Sequence, residues 1–340
     1  MKKFFVLLFG LISCMMTFNA CSTDVDLYAD YKDIMVVYGL LDSGIDTNYV
    51  KINKAFLGPG NALQIAQIAD SCNYPGKLKA KLIEYRAAAN GTHFQQTAVF
   101  PLDTITIHDK ESGVFYAPDQ LVYYTPNKIK NNNEQYKYRY ELQVEHGDSI
   151  VSATTDMVGG GSFSVGIAAL DLTASSATIS WMPCPNAAVY EVVLKFHFVE
   201  VSTSNDSVER IVNWALGAIP EHQLQNENGV YKMSFAASQF FYKLATALGS
   251  DTLNPNIKER LIYEPSLELN LAAGGDELYN FITVNGPSNS IVQTLPEYTN
   301  VKGGFGVLSS RTMYVKMLKL ARSTIPELES HENWHFKQAQ

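Results

Sequence analysis

The sequence predicts a mainly β protein built from two β-sandwich domains with one or two short inserted helices. Three observations carry that prediction. The first is residues 136–145, which alternate without exception. Tyr136, Tyr138, Tyr140, Leu142 and Val144 fall on one face, and Lys137, Arg139, Glu141, Gln143 and Glu145 on the other. A period of two with one apolar face is the pattern of a half-buried antiparallel strand. The second is a pair of strand-like runs, 177–181 and 189–201, separated by a turn that contains Pro183 and Pro185. The third is Gly159-Gly160-Gly161-Ser162, a glycine-rich stretch in a chain of 340 residues, long enough for two cores.

In chain order, residues 34–41 form a short, Val-rich apolar run that reads as a buried strand. Asp42-Ser43-Gly44 is turn chemistry. In residues 49–56, Tyr49, Lys51 and Asn53 alternate with Val50 and Ile52, a second strand. Residues 61–70 read as a short helix, and Leu78, Ala80 and Leu82 alternate with Lys77, Lys79 and Lys81. Gly147-Asp148 turns the 136–145 strand into a hairpin partner over 150–155. These elements make an N-terminal domain of 34–156, a linker of 157–164 and a second domain of 165–325. Within the second domain a helix is expected over 234–249. Its stripe is Ala237, Phe241, Leu244 and Leu248, Ser234 caps its start, and Gly249 ends it. A shorter helix is expected over 276–284. Residues 303–308 and 314–320 read as two strands, and 326–340 as a tail with a closing strand at 334–337.

The N-terminus carries a separate message. Lys2 and Lys3 precede an apolar run over 4–13, of signal-peptide length and too short to span a bilayer. Ala20 precedes Cys21, and the chain then turns polar and acidic. This resembles the lipobox of bacterial lipoproteins, with a signal peptide of 1–20, a lipid on Cys21 and a tether over 21–33. Phe18 stands where Leu, Val or Ile is usual. Cys14, after Leu11-Ile12-Ser13, is the alternative acceptor, but cleavage there would leave apolar Met15 to Phe18 on the mature chain. Acylation at one residue with two or more chains suffices for stable anchoring.

Net charge is -8, and it becomes -10 once Lys2 and Lys3 leave with the signal. Nucleic acid is a poor partner for such a chain, which has no basic run. After acylation of Cys21, Cys72 and Cys184 remain. An exported compartment permits them to pair.

The run 177–181, its Pro-containing turn and the strand opening at Tyr190 resemble strands B and C of an immunoglobulin or fibronectin III-like sandwich. A broader resemblance rests on Ser290 to Gln293 and on Pro296 to Arg311 (PEYTNVKGGFGVLSSR). These stretches resemble the C-terminal signature of a large Bacteroidota lipoprotein family. Its members carry a domain of unknown function and are commonly encoded beside TonB-dependent outer-membrane receptors. Tyr38-Gly39, the Tyr140 to Leu142 strand and Phe240-Phe241-Tyr242 match further landmarks, so the resemblance spans most of 34–320. It implies paired β-sandwiches, an outer-membrane lipid anchor facing the periplasm or the cell surface, and an accessory or substrate-binding role beside a TonB-dependent transporter. It brings no catalytic residues and no cofactor. Thr104, Ser149, Ser207 and Thr252 sit in Asp-Ser/Thr-aliphatic triplets that resemble the O-glycosylation acceptor of that phylum. A fimbrial or adhesin subunit is the structural alternative. Such subunits are trimmed at an Arg near the N-terminus, and the first Arg here is Arg86.

One motif points to chemistry. His331-Glu332-Asn333-Trp334-His335 matches the HExxH zinc-peptidase helix, in which the two His ligate zinc and the Glu activates water. Its context is unfavourable. Pro326 limits any preceding helix, and five residues follow His335 where such enzymes take a third ligand. On a strand the two histidines would stand about 13 Å apart. The expected protein is therefore a non-enzymatic binder without cofactor or metal.

Overall fold

A computed structural model describes residues 34–55, 61–160, 163–249, 254–286 and 297–339. The expected signal peptide, Cys14, Cys21, the tether, Thr252 and the signature residues Ser290 to Pro296 lie outside the described residues. The protein is mainly β. The first half of the chain forms β1 (Met35–Asp42), β2 (Asn48–Lys54), α1 (Ala62–Ile65), α2 (Ala69–Cys72), β3 (Ala80–Ala88), β4 (Gln95–Pro101), β5 (Asp103–Ile107), β6 (Gln120–Thr125), β7 (Tyr136–His146) and β8 (Ser149–Asp156). The second half forms β9 (Ala169–Leu170), β10 (Ala177–Trp181), β11 (Val189–Ser202), β12 (Ser207–Pro220), β13 (Gln225–Glu227), β14 (Val230–Phe235), α3 (Gln239–Leu248), β15 (Ile257–Ile262), β16 (Leu267–Gly274), α4 (Asp276–Asn285), β17 (Val301–Lys302), β18 (Gly304–Leu320), α5 (Thr324–Ser330) and β19 (Phe336–Gln338).

A sheet of order β17-β8-β7-β3-β4 and the β1-β2-β6-β5 part of a larger sheet enclose the first core. The alternation in β7 decides which side chains enter. Tyr138, Tyr140, Leu142 and Val144 are buried there with Met35, Val37 and Leu41 of β1 and Leu82 of β3. The aromatic row of β7 is thus core, and each such apolar side chain contributes about 1.5–3 kcal/mol on burial. One charge enters this layer. Glu84 of β3 is fully buried and accepts hydrogen bonds from Tyr140 Oη (2.8 Å), Thr97 Oγ1 (2.7 Å) and Lys130 Nζ (2.9 Å). Burial opposes its ionisation, yet the three donors outweigh burial and hold the carboxyl below its ordinary range.

The chain passes from the first core into the second between two successive residues. Met157 belongs to the first and Val158 to the second. This crossing, the start of the expected linker, is packed, and polar side chains satisfy its backbone. Asn132 Nδ2 and Asn186 Nδ2 both donate to the Met157 carbonyl, at 2.5 and 2.9 Å. Gly160 sits at φ +83, where a Cβ would collide with the Asn132 carbonyl.

Strand β18 joins the halves. Its first part pairs in parallel with β1, from Met35↔Gly304 to Asp42↔Arg311, and its second part pairs antiparallel with β16, from Gly274↔Arg311 to Leu267↔Leu318. Sequence patterning suggests two strands here, since Ser309-Ser310-Arg311 interrupts the apolar run. The two serines are fully buried. Ser310 Oγ donates to the Asp156 carbonyl (2.7 Å) and accepts from Val158 N (2.9 Å). Ser309 Oγ donates to Glu277 (3.2 Å) and accepts from Leu278 N (3.1 Å). A polar pair can therefore continue a buried strand without orphaned groups.

The second core packs β11, β16 and the end of β18 against β10 and β14, with α3 and α5 closing it. Trp181 of β10 meets Tyr190 of β11 at 5.5 Å between ring centroids, across two different sheets. Helix α3 begins at Gln239 rather than Ser234. Ser234 and Phe235 are taken by β14, which pairs with Thr178 and Ala177 of β10. The buried stripe is correspondingly Phe240, Leu244 and Leu248. The last segment packs into the same core through Leu328, Trp334 and Phe336, held by fully buried Arg260. Its Nη1 donates to the Trp334 carbonyl (2.8 Å) and its Nε to Glu200 (3.0 Å).

Candidate functional site

A cleft of about 430 Å³ opens on the outward face of β1 and β2. Its floor follows from strand alternation. Val37, Leu41, Val50 and Ile52 point into the core, so Val36, Tyr38, Lys51 and Asn53 point out. Register places Tyr38 opposite Lys51 and Val36 opposite Asn53. The walls come from two irregular segments that brace each other. Asn53 Nδ2 ties down the end of α2 through the Cys72 carbonyl (3.0 Å) and Asn73 Oδ1 (2.8 Å). Tyr116 N donates to the Ala66 carbonyl (2.8 Å), and Gln67 Nε2 donates to the Gly113 and Val114 carbonyls (2.7 Å each). Lys110 Nζ closes the 110–116 turn on the Tyr116 carbonyl (2.6 Å).

Three lysines line this cleft, Lys51, Lys54 and Lys110, with one acid, Asp119. The local sign is positive in a chain of net charge -8. No carboxylate pairs with any of the three among the described residues. Lys51 Nζ donates instead to neutral Gln120 Oε1 (3.1 Å), and Asp119 is engaged by His108 Nδ1 at 2.9 Å. Burial, then the nearby Lys110 charge, lowers the affinity of Lys51 for its proton. Asn53 Oδ1 is buried and accepts no hydrogen bond from the described residues, a cost of about 1–3 kcal/mol that a site optimised for stability would avoid. Tyr38 and Phe115 present apolar surface, 43% and 55% exposed.

A second cleft of about 440 Å³ lies at the edge of the β3–β4–β7–β8 sheet and is also lined by three lysines, Lys77, Lys79 and Lys81. Two of these are matched by carboxylates: Lys77 by Asp103 at 2.6 Å and Lys79 by Glu145 at 3.1 Å.

The sequence-expected sites fall elsewhere. Cys72 and Cys184 do not pair. Both are free and buried, Cys72 at the end of α2 and Cys184 inside the second core. Burial raises both thiols, Cys184 to about 12, so neither is poised to react. The HExxH residues do not form a zinc helix. Helix α5 ends at Ser330, a single 3₁₀ turn follows over Glu332–Trp334, and His335 adopts a left-handed conformation at φ +54. The i and i+4 side chains therefore do not share one helical face. His331 instead stacks on Trp334 at 4.0 Å. Pro326 fits the first turn of α5, where its missing N–H costs nothing. Among the described residues no three His, Cys, Asp or Glu side chains gather into a metal-binding group. Ser149 and Ser207 are exposed at strand starts, while Thr104 is half-buried in β5.

Sequence reasoning marks Tyr49, Lys51 and Asn53 as an outward row but does not see the cleft over it. Lys110, Phe115 and Tyr116 lie in an aperiodic stretch with no pattern to place them. No protein-family model and no curated protein matches the chain.

Proposed function

We propose that this is a lipid-anchored outer-membrane binding protein, acylated on Cys21, that serves as an accessory or substrate-binding partner of a TonB-dependent transporter. The role is capture, with no bond made or broken. The observation that carries the reading is the braced β1–β2 cleft, whose unmatched lysines and exposed aromatics are what a binding site needs and what a merely stable surface avoids.

The partner rests on the family resemblance, and two landmarks of that resemblance are neighbours in the sheet. Tyr38 and Gly39 are register partners of Val307 and Leu308. Gly39 leaves room there, since a Cβ would press on Leu308 Cδ1 at 2.7 Å. Tyr38 then turns outward into the cleft. Two of the stretches that carry the resemblance, at Tyr38-Gly39 and at 304–311, thus lie together beneath the floor of the site.

The test is co-purification. The C-terminally tagged chain is extracted gently from its native outer membrane, and its companions are identified by mass spectrometry. A TonB-dependent receptor at near-equal amount is the expected result. A lone lipoprotein, or a ladder of its own polymer, would overturn the transporter role.

A further inference from the structure

Resting on the β1–β2 cleft as the binding site, we propose that its ligand is a small organic anion. A carboxylate or phosphate head meets Lys51, Lys54 and Lys110, and an apolar or aromatic body lies against Val36, Tyr38 and Phe115.

The charge argument comes first. Three ammonium groups around one cleft repel one another, and proteins ordinarily relieve such repulsion with carboxylates. That relief is present at the second cleft and, among the described residues, absent at the first, where Asp119 already faces His108. A neutral ligand would leave the repulsion in place, and an anionic head removes it. The lowered proton affinity of Lys51 reports the same repulsion from Lys110, added to burial.

Shape supplies the rest of the class. About 430 Å³ lies within the range for a single small ligand. An overall charge of -8 disfavours a polyanion. The head accounts for the lysines alone. Tyr38 and Phe115 remain, both over two-fifths exposed on the same cleft, and Lys110 Nζ stands 5.9 Å from the Phe115 ring centroid. An apolar body covers these rings while the head reaches the ammonium groups. Lysines serve either head group as point charges, so carboxylate and phosphate are separated by experiment.

The test is lysine footprinting on the full-length chain in detergent. The purified protein is acetylated with a water-soluble ester, alone or with phenyl phosphate, benzoate or neutral phenyl glucoside, and each lysine is read by mass spectrometry. At ligand concentrations about ten times Kd, occupancy slows labelling about tenfold. The expected result is such protection of Lys51, Lys54 and Lys110 by one or both anions, none by the glucoside, and none at Lys77, Lys79 or Lys81. Comparison of the two anions names the head group. In a variant carrying Lys51→Gln and Lys110→Gln, Lys54 loses its protection; Lys54→Gln, whose side chain pairs with no carboxylate among the described residues, weakens protection of the other two. Protection by the glucoside alone would overturn the anionic class and keep the cleft as a site. No protection by any probe would overturn the inference even if a transporter co-purifies.

Discussion

The two clefts of the N-terminal half are matched in size and in lysine number, and they differ in what those lysines meet. At the β3–β4–β7–β8 edge, Asp103 and Glu145 answer Lys77 and Lys79 across neighbouring elements. At the β1–β2 face the lysines arrive from β2 and from an irregular loop, and no carboxylate answers them among the described residues. The first arrangement is how a surface settles its own charges. The second leaves attraction unused. Volume therefore does not distinguish a site from a dent; the charge left over does.

The comparison can be broken at several points. The largest effect is expected from Lys51→Gln with Lys110→Gln. Each charged hydrogen bond to a ligand is worth about 1.5–3 kcal/mol, so titration calorimetry with the preferred anion should show affinity falling by at least about tenfold. The equivalent change of Lys77 and Lys79 should leave binding unaltered.

Next comes Lys130→Met, beside the second cleft's sheet. It removes the one cation from buried Glu84, and because Lys130 is itself half exposed the cost should be about 1–2 kcal/mol at pH 7 in urea unfolding. The folded carboxyl is held below its usual range, so its contribution is present above the unfolded value of about 4.3 and is lost as pH falls through the lower folded value. The variant should show a shallower loss of stability across that acid range.

A smaller shift is expected at Lys51 itself. Lys110→Gln removes a repelling charge, so the pH profile of Lys51 acetylation should move to higher pH. A profile that stays in place would mean burial alone sets Lys51. The smallest effect on the fold is expected from Asp103→Asn with Glu145→Gln. Exposed pairs contribute little, so the thermal midpoint should barely move. The freed lysines of the second cleft should nevertheless acquire measurable protection by the same anion.

How much of this was legible in the sequence follows from where periodicity exists. Strand β7 is readable because its five-residue apolar row is unbroken. The sequence pattern divides β18 in two, since Ser309 and Ser310 look like a break, and only the facing backbone of 156–158 and 278 and the Glu277 carboxyl show why they can be buried. The sequence pattern carries helix α3 back to Ser234, whereas the pull of β10 on Ser234 and Phe235 is a tertiary effect with no local signal. The HExxH spacing matters only on a continuous helix, and α5 ends at Ser330, before the motif begins. The cleft was illegible because four separated stretches meet there, near residues 36–38, 51–55, 72–73 and 110–120, two of them without any period.

The most direct measurement is a crystal structure of the protein grown with phenyl phosphate. Density is expected in the β1–β2 cleft, with the phosphate within hydrogen-bond reach of Lys51, Lys54 or Lys110 and the ring against Tyr38 or Phe115. An empty cleft there, with the anion seated among Lys77, Lys79 and Lys81, would contradict the assignment of the site.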